Sequence, residues 1–205
     1  MEKFISLPAN KQTIIIDAAL TTFGTNGYKK TSTGDIAAAA GISKAMVFHY
    51  FGTKKALYLY LIDYCSKLIV NEMDNSFDYS VTDFFDKILL ASEIKLSVLK
   101  KHPSILTFLS SVYFEKDEEI KDDIKTILSQ SDAFRNKIVF DNMDNTKFKP
   151  GVPPELVFKM LLWMAEGFAS HYTNLKDGDI NEMFKDYFEC MDMLKSNLYK
   201  EEYLK

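Results

Sequence analysis

The sequence predicts an all-α protein of about nine helices, in which a small N-terminal head of three helices precedes a larger helical domain. Three observations lead to this fold class. Apolar residues near the N-terminus recur with the 3.6-residue period of a helix. A glycine-centred turn at residues 41–43 separates two short helical segments. From residue 56 onward the pattern stays helical, with short breaks.

The composition suits a globular protein, and the charge is unevenly distributed. Of the 205 residues, 47% are hydrophobic and 26% are charged, which allows a sizeable core. Residues 1–60 hold seven lysines and three carboxylates, which gives a net charge of +4. Because the whole chain has a net charge of −4, residues 61–205 carry −8. A basic first third indicates a region that meets a polyanion. Chance produces such an asymmetry as readily, so charge alone does not decide.

The first helix is predicted over residues 10–24. Its apolar stripe follows the spacing i, i+3, i+4, i+7 and consists of Ile16, Ala19, Leu20 and Phe23. The Asn26-Gly27 pair is expected to end the helix, because glycine readily adopts the left-handed conformation of a helix C-terminus.

The next two helices form the most informative pattern. Ser32 and Asp35 have the spacing of a capping box that opens a helix over residues 33–40. Gly41 permits a sharp turn, and Ser43 can cap a third helix over Lys44–Phe51. Such a helix-turn-helix places its second helix in the major groove of DNA. Thr53 can cap a fourth helix that begins with Lys54, and its N-terminus would suit a phosphate.

Several motifs follow one another in order along this region. They are Phe23-Gly24-Thr25-Asn26-Gly27-Tyr28, Thr31-Ser32, Asp35-Ile36-Ala37, Ala40-Gly41-Ile42-Ser43-Lys44, Phe48-His49-Tyr50-Phe51 and Lys54-Lys55-Ala56-Leu57. Together they resemble the DNA-binding domain of the TetR family of regulators over about residues 11–57. The resemblance implies a helix-turn-helix DNA-binding domain, placed here at residues 1–55, and a helical ligand-binding and dimerisation domain at residues 56–205.

The resemblance also assigns DNA contact to individual side chains. These are Thr33, Lys44, Ala45, Met46, Phe48, His49, Tyr50 and Lys54. Lys44, Ala45 and Met46 would lie at the base edges, whereas Tyr50 and Lys54 would hold phosphates. The core of the head is expected to contain Ile36, Ala40, Ile42, Val47 and Phe51.

Two residues depart from the family pattern. Gly34 stands where many members carry a longer polar side chain that reaches a base, so the second helix should read less of the sequence here. Met46 stands where a small or hydroxyl residue is common. It can pack on a thymine methyl group, or it can be a partly exposed spacer.

The larger domain is predicted to hold the fourth to ninth helices, over residues 54–73, 81–101, 103 onward, 117–142, 154–174 and 179–199. The last two are apolar on more than one side, which calls for more than one partner. In the TetR family these helices usually pair with their symmetry mates, so the resemblance implies a homodimer on a palindromic operator. The alternative is a larger core within one chain.

The predicted ligand is a small hydrophobic or amphipathic inducer that releases a repressor from DNA. The domain is rich in Phe, Tyr and Met, which line adaptable cavities but also fill ordinary cores. Few charged residues are expected on the inward faces of its helices. The family places its pocket among the fifth to eighth helices, which implies Leu89, Phe108, Phe134 and Trp163 as ligand contacts.

Other classes of protein are less well supported. His49, His102 and His171 lie in different segments without metal-ligand spacing, so no enzyme, catalytic site, metal or cofactor is expected. A DNA-binding protein without a ligand is a second alternative, which the size of the larger domain disfavours.

A cytoplasmic location without a membrane span is expected. No apolar run typical of a secretory signal opens the sequence, and the most apolar stretch, residues 157–172, is broken by Lys159 and Glu166. Cys65 and Cys190 belong to no CxxC pair, which suits buried thiols in a reducing compartment.

Overall fold

The computed structural model of the chain describes residues 1–173 and 180–204, and the side chains of residues 1–171 and 180–204. The fold is all-α, as predicted. The described part contains ten α-helices, namely α1 (Glu2–Ile5), α2 (Ala9–Lys30), α3 (Thr33–Ala39), α4 (Lys44–Phe51), α5 (Lys54–Ser76), α6 (Phe84–Lys101), α7 (Pro103–Tyr113), α8 (Lys121–Phe140), α9 (Pro154–Thr173) and α10 (Ile180–Leu198). None of the helices in these ranges combines the length and the apolar character that a membrane span needs.

The chain divides into two compact units. The first unit comprises residues 1–71 and 98–131 and contains α1–α4, most of α5, and α7. The second unit comprises residues 72–97 and 132–205 and contains most of α6, the end of α8, α9 and α10. The predicted boundary between the DNA-binding domain and the ligand-binding domain, between residues 55 and 56, stays a prediction.

Aromatic rings fill the core of the first unit. Phe23, Tyr28, Tyr58 and Phe108 are all buried, and the ring centroids of Phe23 and Tyr58 lie 4.9 Å apart. The helices α2 and α7 approach closely at Gly24, where an added Cβ would lie 2.9 Å from the backbone nitrogen of Phe108. Because a real Cβ does not tolerate that distance, glycine is required for this packing.

The core of the second unit lies between α6, α9 and α10. Phe84, Leu161 and Tyr199 are fully buried there. The loop before α9 pairs with the end of α10, since the amide of Lys149 donates to the carbonyl of Leu198 at 2.9 Å. The chain end is thereby held against the core.

Two charged side chains are buried beside this core, which the sequence did not suggest. Lys87 is 1% exposed, and its ammonium donates to the carbonyls of Ile138 and Asp141, at 3.2 and 2.5 Å. These carbonyls lie at the end of α8, where a helix leaves acceptors without partners. The expectation that inward faces carry few charges therefore fails at Lys87. Burial lowers the pKa of Lys87, although the charge of Asp141 acts in the opposite direction.

Asp83 is the second buried charge, at 6% exposed. Its carboxylate accepts hydrogen bonds from the Lys147 ammonium at 2.8 Å and the Asp86 amide at 3.1 Å, and lies 3.6 Å from the Lys195 ammonium. Burial raises the pKa of Asp83, but these hydrogen bonds and charges outweigh burial and leave the pKa below its usual value. The ionised carboxylate thus connects three parts of the second unit: α6, α10, and the loop that precedes α9.

Several predicted helix ends differ from the observed ones. The helix α6 begins at Phe84 rather than residue 81, because Asp83 caps its first turn. The helix α8 begins at Lys121 rather than residue 117, because Asp117 accepts from Glu119 and starts a turn instead. Gly27 interrupts α2 with a φ of 70°, as expected, although α2 extends to Lys30. The predicted ends at Asn174 and Asp179 lie outside the described residues.

Candidate nucleic-acid interface

The start of α3 is fixed by the predicted capping box. The Asp35 amide donates to the Ser32 hydroxyl at 3.2 Å, and the Ser32 amide donates to the Asp35 carboxylate at 2.9 Å. The hydrogen bond from the Ser32 amide, followed by interaction with the Ser32 hydroxyl, lowers the pKa of Asp35. Both side chains are therefore committed to holding α3 in place.

The turn between α3 and α4 has the geometry of a Schellman motif. Gly41 adopts a φ of 65°, and the amides of Gly41 and Ile42 donate to the carbonyls of Ala38 and Ala37 at 3.3 and 3.0 Å. Ser43 then caps α4, since its hydroxyl accepts from the Met46 amide at 3.3 Å. The two helices and their turn confirm the predicted helix-turn-helix.

One face of α4 is buried and the other is exposed. Val47, Tyr50 and Phe51 are buried at the spacing i, i+3, i+4, which seats the helix on the core. The opposite face consists of exposed side chains, namely Lys44, Ala45, Met46, Phe48 and His49. We call this set the α4 face. Met46 is 37% exposed and Phe48 is 45% exposed, so this face carries two large apolar side chains in contact with water.

The α4 face is braced from behind by α1, a helix that the sequence did not predict. Phe4 is fully buried, and its ring centroid lies 4.7 Å from that of Phe51 and 6.0 Å from that of Tyr50. The ring of Tyr60 completes the contact at 5.7 Å. A helix of four residues is too short to show the helical period, so pattern reading could not find it.

The residues with an implied DNA role fall into three groups. Five of them form the α4 face. Thr33 and Tyr50 are buried, at 7% and 6% exposed, so their side chains present little surface. Lys54 is half-buried and directed inward. Its ammonium donates to the carbonyls of Tyr28 and Thr31 at 3.0 and 3.2 Å and lies 4.1 Å from the Tyr28 ring centroid. The DNA contacts themselves stay predictions.

Of the residues assigned to the expected core of the head, Ile36, Ala40, Val47 and Phe51 are buried and Ile42 is half-buried. Glu115 also supports the head. Its carboxylate accepts from the Tyr28 amide at 2.9 Å. That amide lies directly after the Gly27 kink, so the contact holds the end of α2 to the segment after α7.

The residues with an implied ligand role lie in different surroundings. Phe108 belongs to the first unit, where it is fully buried and its ring centroid lies 5.3 Å from that of Tyr58. In the second unit, Leu89 packs against the core around Phe84, whereas Phe134 packs against a smaller cluster that includes Met73. Trp163 is 56% exposed, with the Lys159 ammonium 4.9 Å from its ring centroid. Their role as ligand contacts stays a prediction.

The exposed position of Trp163 belongs to a longer feature of α9. Leu156, Met160 and Trp163 follow the spacing i, i+4, i+7 and are 51%, 39% and 56% exposed. These three residues form the α9 stripe. Gly167 continues it, with open space where a Cβ would be. The stripe is an apolar surface on one side of a helix whose other side is in the core.

Comparison with known proteins identifies the head. The family of bacterial regulatory proteins named after tetR matches residues 15–61, which include α3, α4 and the start of α5. Residues 15–61 thus match the DNA-binding head of the TetR family. The match contains the capping box, the turn and the α4 face described above. The members of this family are regulatory proteins rather than enzymes.

Curated relatives match part of the chain. The regulator BetI of Agrobacterium fabrum is 40% identical over 55 residues, which cover 27% of each chain. The negative transcriptional regulator IcaR of Staphylococcus aureus is 35% identical over 71 residues, covering 33% of this chain and 38% of IcaR. The matches thus span between about a quarter and two fifths of the relatives' length.

Solved structures extend the similarity of fold to the whole chain. A TetR-family regulator from Chloroflexus aurantiacus aligns with a TM-score of 0.72 over 98% of both chains, at 21% identity. FadR from Bacillus subtilis, solved in complex with stearoyl-CoA, aligns with a TM-score of 0.68 over 91% of this chain and 99% of FadR, at 17% identity. At such identities the likeness concerns the fold alone.

Proposed function

We propose that this protein is a DNA-binding transcriptional regulator whose α4 face enters the major groove. The observation that carries the proposal is the combination of a capped, braced helix with five exposed side chains and the family match over the same residues. The side chains of Ser32, Asp35 and Ser43 are not available for hydrogen bonds to bases. Each already bonds to the backbone and holds it in the conformation that presents α4.

Repression is the mode of regulation that the relatives favour. IcaR, which is 35% identical to this chain over 71 residues, is a negative transcriptional regulator. A head that occupies an operator blocks transcription without needing a further contact with the polymerase. We therefore propose a repressor, released when a ligand stabilises an arrangement that no longer fits the operator.

We propose that the protein acts as a homodimer through the α9 stripe. Leu156, Met160 and Trp163 present adjacent apolar surface that one chain leaves in water. A two-fold axis through this stripe would bury it against its own copy, because the same patch serves both subunits in a symmetric dimer. Met191 of α10 is 3% exposed and serves the core of its own chain, so it is unsuitable for testing the interface.

The proposed inducer is hydrophobic or amphipathic. The structural similarity to FadR, which binds stearoyl-CoA, supports a ligand with a long apolar part. Leu89 and Phe134 of the second unit are half-buried. We therefore take these two side chains as the candidate ligand contacts in that unit. The test titrates a panel of lipophilic compounds, including stearoyl-CoA, against the protein on labelled DNA. We expect release of DNA, and weaker release for Phe134→Ala than for the exposed control Tyr79→Ala. Release by polar or ionic compounds alone would make the proposed ligand class wrong.

The proposed function is tested by selecting DNA from a random pool with the full-length protein. We expect enrichment of a palindrome with half-sites about one helical turn apart or somewhat less. Sedimentation of the complex should show the mass of two protein chains on one palindrome. A pool without enrichment would contradict sequence-specific DNA binding, and a monomer bound to a lone half-site would contradict the dimer.

A further inference from the structure

The side chains that could read bases through hydrogen bonds are few in the helix-turn-helix. Within residues 32–51, all of which the structure describes, Ser32 and Asp35 bond to each other and Ser43 bonds to the Met46 amide. Thr33 and Tyr50 are buried. The first turn of α3 otherwise offers Gly34, which has no side chain. Among these residues, Lys44 and His49 are the exposed side chains with polar atoms that are not committed in this way.

The rest of the α4 face is hydrocarbon. Met46 and Phe48 carry most of it, with the methyl group of Ala45 beside them. The Lys44 ammonium lies 6.0 Å from the Phe48 ring centroid, so the positive charge lies beside the apolar surface. The face therefore consists of an apolar centre with the Lys44 cation at its N-terminal end and the His49 imidazole towards its C-terminal end.

Only one base presents an apolar group in the major groove. That group is the C5 methyl of thymine, whereas the other base edges there present hydrogen-bond donors and acceptors. A donor or acceptor placed against Met46 or Phe48 would lose water without gaining a partner, which is costly. The α4 face thus favours thymine at its centre by attraction and disfavours guanine and cytosine by unpaired polar groups.

We propose that Met46 and Phe48 select half-sites in which thymine methyl groups face α4, with Lys44 contacting a guanine or a phosphate beside them. This inference rests on the proposed function, since it concerns the same surface. It assigns sequence specificity to two apolar side chains, and it makes the protein a reader of methyl groups more than of hydrogen-bond patterns.

The sharpest test replaces thymine by uracil in the selected palindrome, because uracil lacks only the methyl group. Each methyl that packs on the α4 face is worth about fourfold in Kd, from about 0.8 kcal/mol per buried methyl-sized group. A symmetric replacement removes one methyl from each half-site, so we expect Kd to rise by about 15-fold at the contacted position. Replacements at positions that do not face α4 should leave Kd within about twofold.

Protein variants assign the effect to side chains. Met46→Ala and Phe48→Ala should bind more weakly and should each lose the discrimination between thymine and uracil at one position. Ile14→Ala is the matched control, because Ile14 is a 53% exposed apolar residue of α2, outside the helix-turn-helix. It should keep both the affinity and the discrimination.

The outcomes separate this inference from the proposed function. If the random pool yields no sequence, both are wrong. If it yields a palindrome whose half-sites are rich in G·C, or whose uracil versions bind as well as the thymine versions, the protein binds DNA specifically and the selection of methyl groups is wrong. Discrimination that survives in both Met46→Ala and Phe48→Ala would likewise overturn the assignment to these residues.

Discussion

Lys54→Met should destabilise the protein, because the Lys54 ammonium holds the end of α2. It donates to the carbonyls of Tyr28 and Thr31 at 3.0 and 3.2 Å and lies 4.1 Å from the Tyr28 ring centroid. These carbonyls lie where the Gly27 kink ends the regular helix, and such carbonyls lack partners within the helix. Methionine keeps most of the alkyl chain and removes the charge and its donors.

The size of the effect follows from these contacts. A hydrogen bond from a charged donor contributes about 1.5–3 kcal/mol, and the half-buried position of Lys54 lets water replace part of that. We therefore expect the two bonds and the ring contact together to stabilise the fold by about 2–3 kcal/mol. For a chain of this size, that loss lowers Tm by about 4–12 °C.

The assay is urea unfolding followed by circular dichroism, with Lys67→Met as the matched control. Lys67 lies on the same helix, is exposed, and pairs with Asp63 at 2.8 Å in an i,i+4 ion pair. Such exposed pairs contribute about 0.3–0.5 kcal/mol. Equal unfolding free energies for the two variants would refute the structural role of Lys54.

The same variant tests the implied phosphate contact. An ammonium has three donors, and a phosphate would use the one that remains beside the two carbonyl bonds. Loss of one phosphate contact from each subunit of the dimer flattens the dependence of log K on log salt by about 1.8. An unchanged slope with reduced stability would show that Lys54 braces the head without touching DNA.

Three further predictions concern other parts of the molecule. Because the folded-state pKa of Asp83 is depressed, its contribution is complete above the unfolded pKa of about 3.9 and is lost as pH falls towards the lower folded value. The unfolding free energy should therefore drop below about pH 4, and less steeply in Asp83→Asn. Phe4→Ala should cost about 3 kcal/mol and weaken DNA binding, since the ring supports α4; unchanged affinity for the selected palindrome would contradict the brace. Leu156→Glu should yield monomers in sedimentation, whereas the exposed control Tyr79→Glu should not; a Leu156→Glu dimer as tight as the wild type would exclude the α9 stripe.

Local signals explain why the head was predictable. The capping residues Ser32 and Ser43, and the turn at Gly41, act on backbone groups within a few residues along the chain. Their effect is therefore visible in a short stretch of sequence. The helical period likewise reports which side of α4 is buried, and Val47 and Phe51 are buried as expected.

Contacts between distant residues explain what was not predictable. Lys87 bonds to carbonyls more than fifty positions away, and Asp83 meets Lys195 from the far end of the chain. Nothing in their own neighbourhoods distinguishes them from surface charges. For Lys54 and Trp163, the family resemblance suggests a role but not the surroundings of the side chain. The Lys54 ammonium bonds to a carbonyl 26 positions earlier in the chain, and Trp163 is exposed, and neither fact can be read from the local sequence.

The central claim is that the α4 face contacts DNA, and Lys44 tests it most directly. Lys44 is exposed at the start of α4, and its ammonium lies 6.0 Å from the ring centroid of the exposed Phe48. Removal of the Lys44 side chain should therefore leave the fold intact. The measurement is the Kd of Lys44→Ala for the selected palindrome at fixed salt, beside Lys67→Ala as the control for lost positive charge. We predict a loss of at least about thirtyfold for Lys44→Ala, from about 1–3 kcal/mol per base contact in each of the two half-sites, and a change within about twofold for Lys67→Ala. Equal affinities for Lys44→Ala and the wild type would contradict the claim.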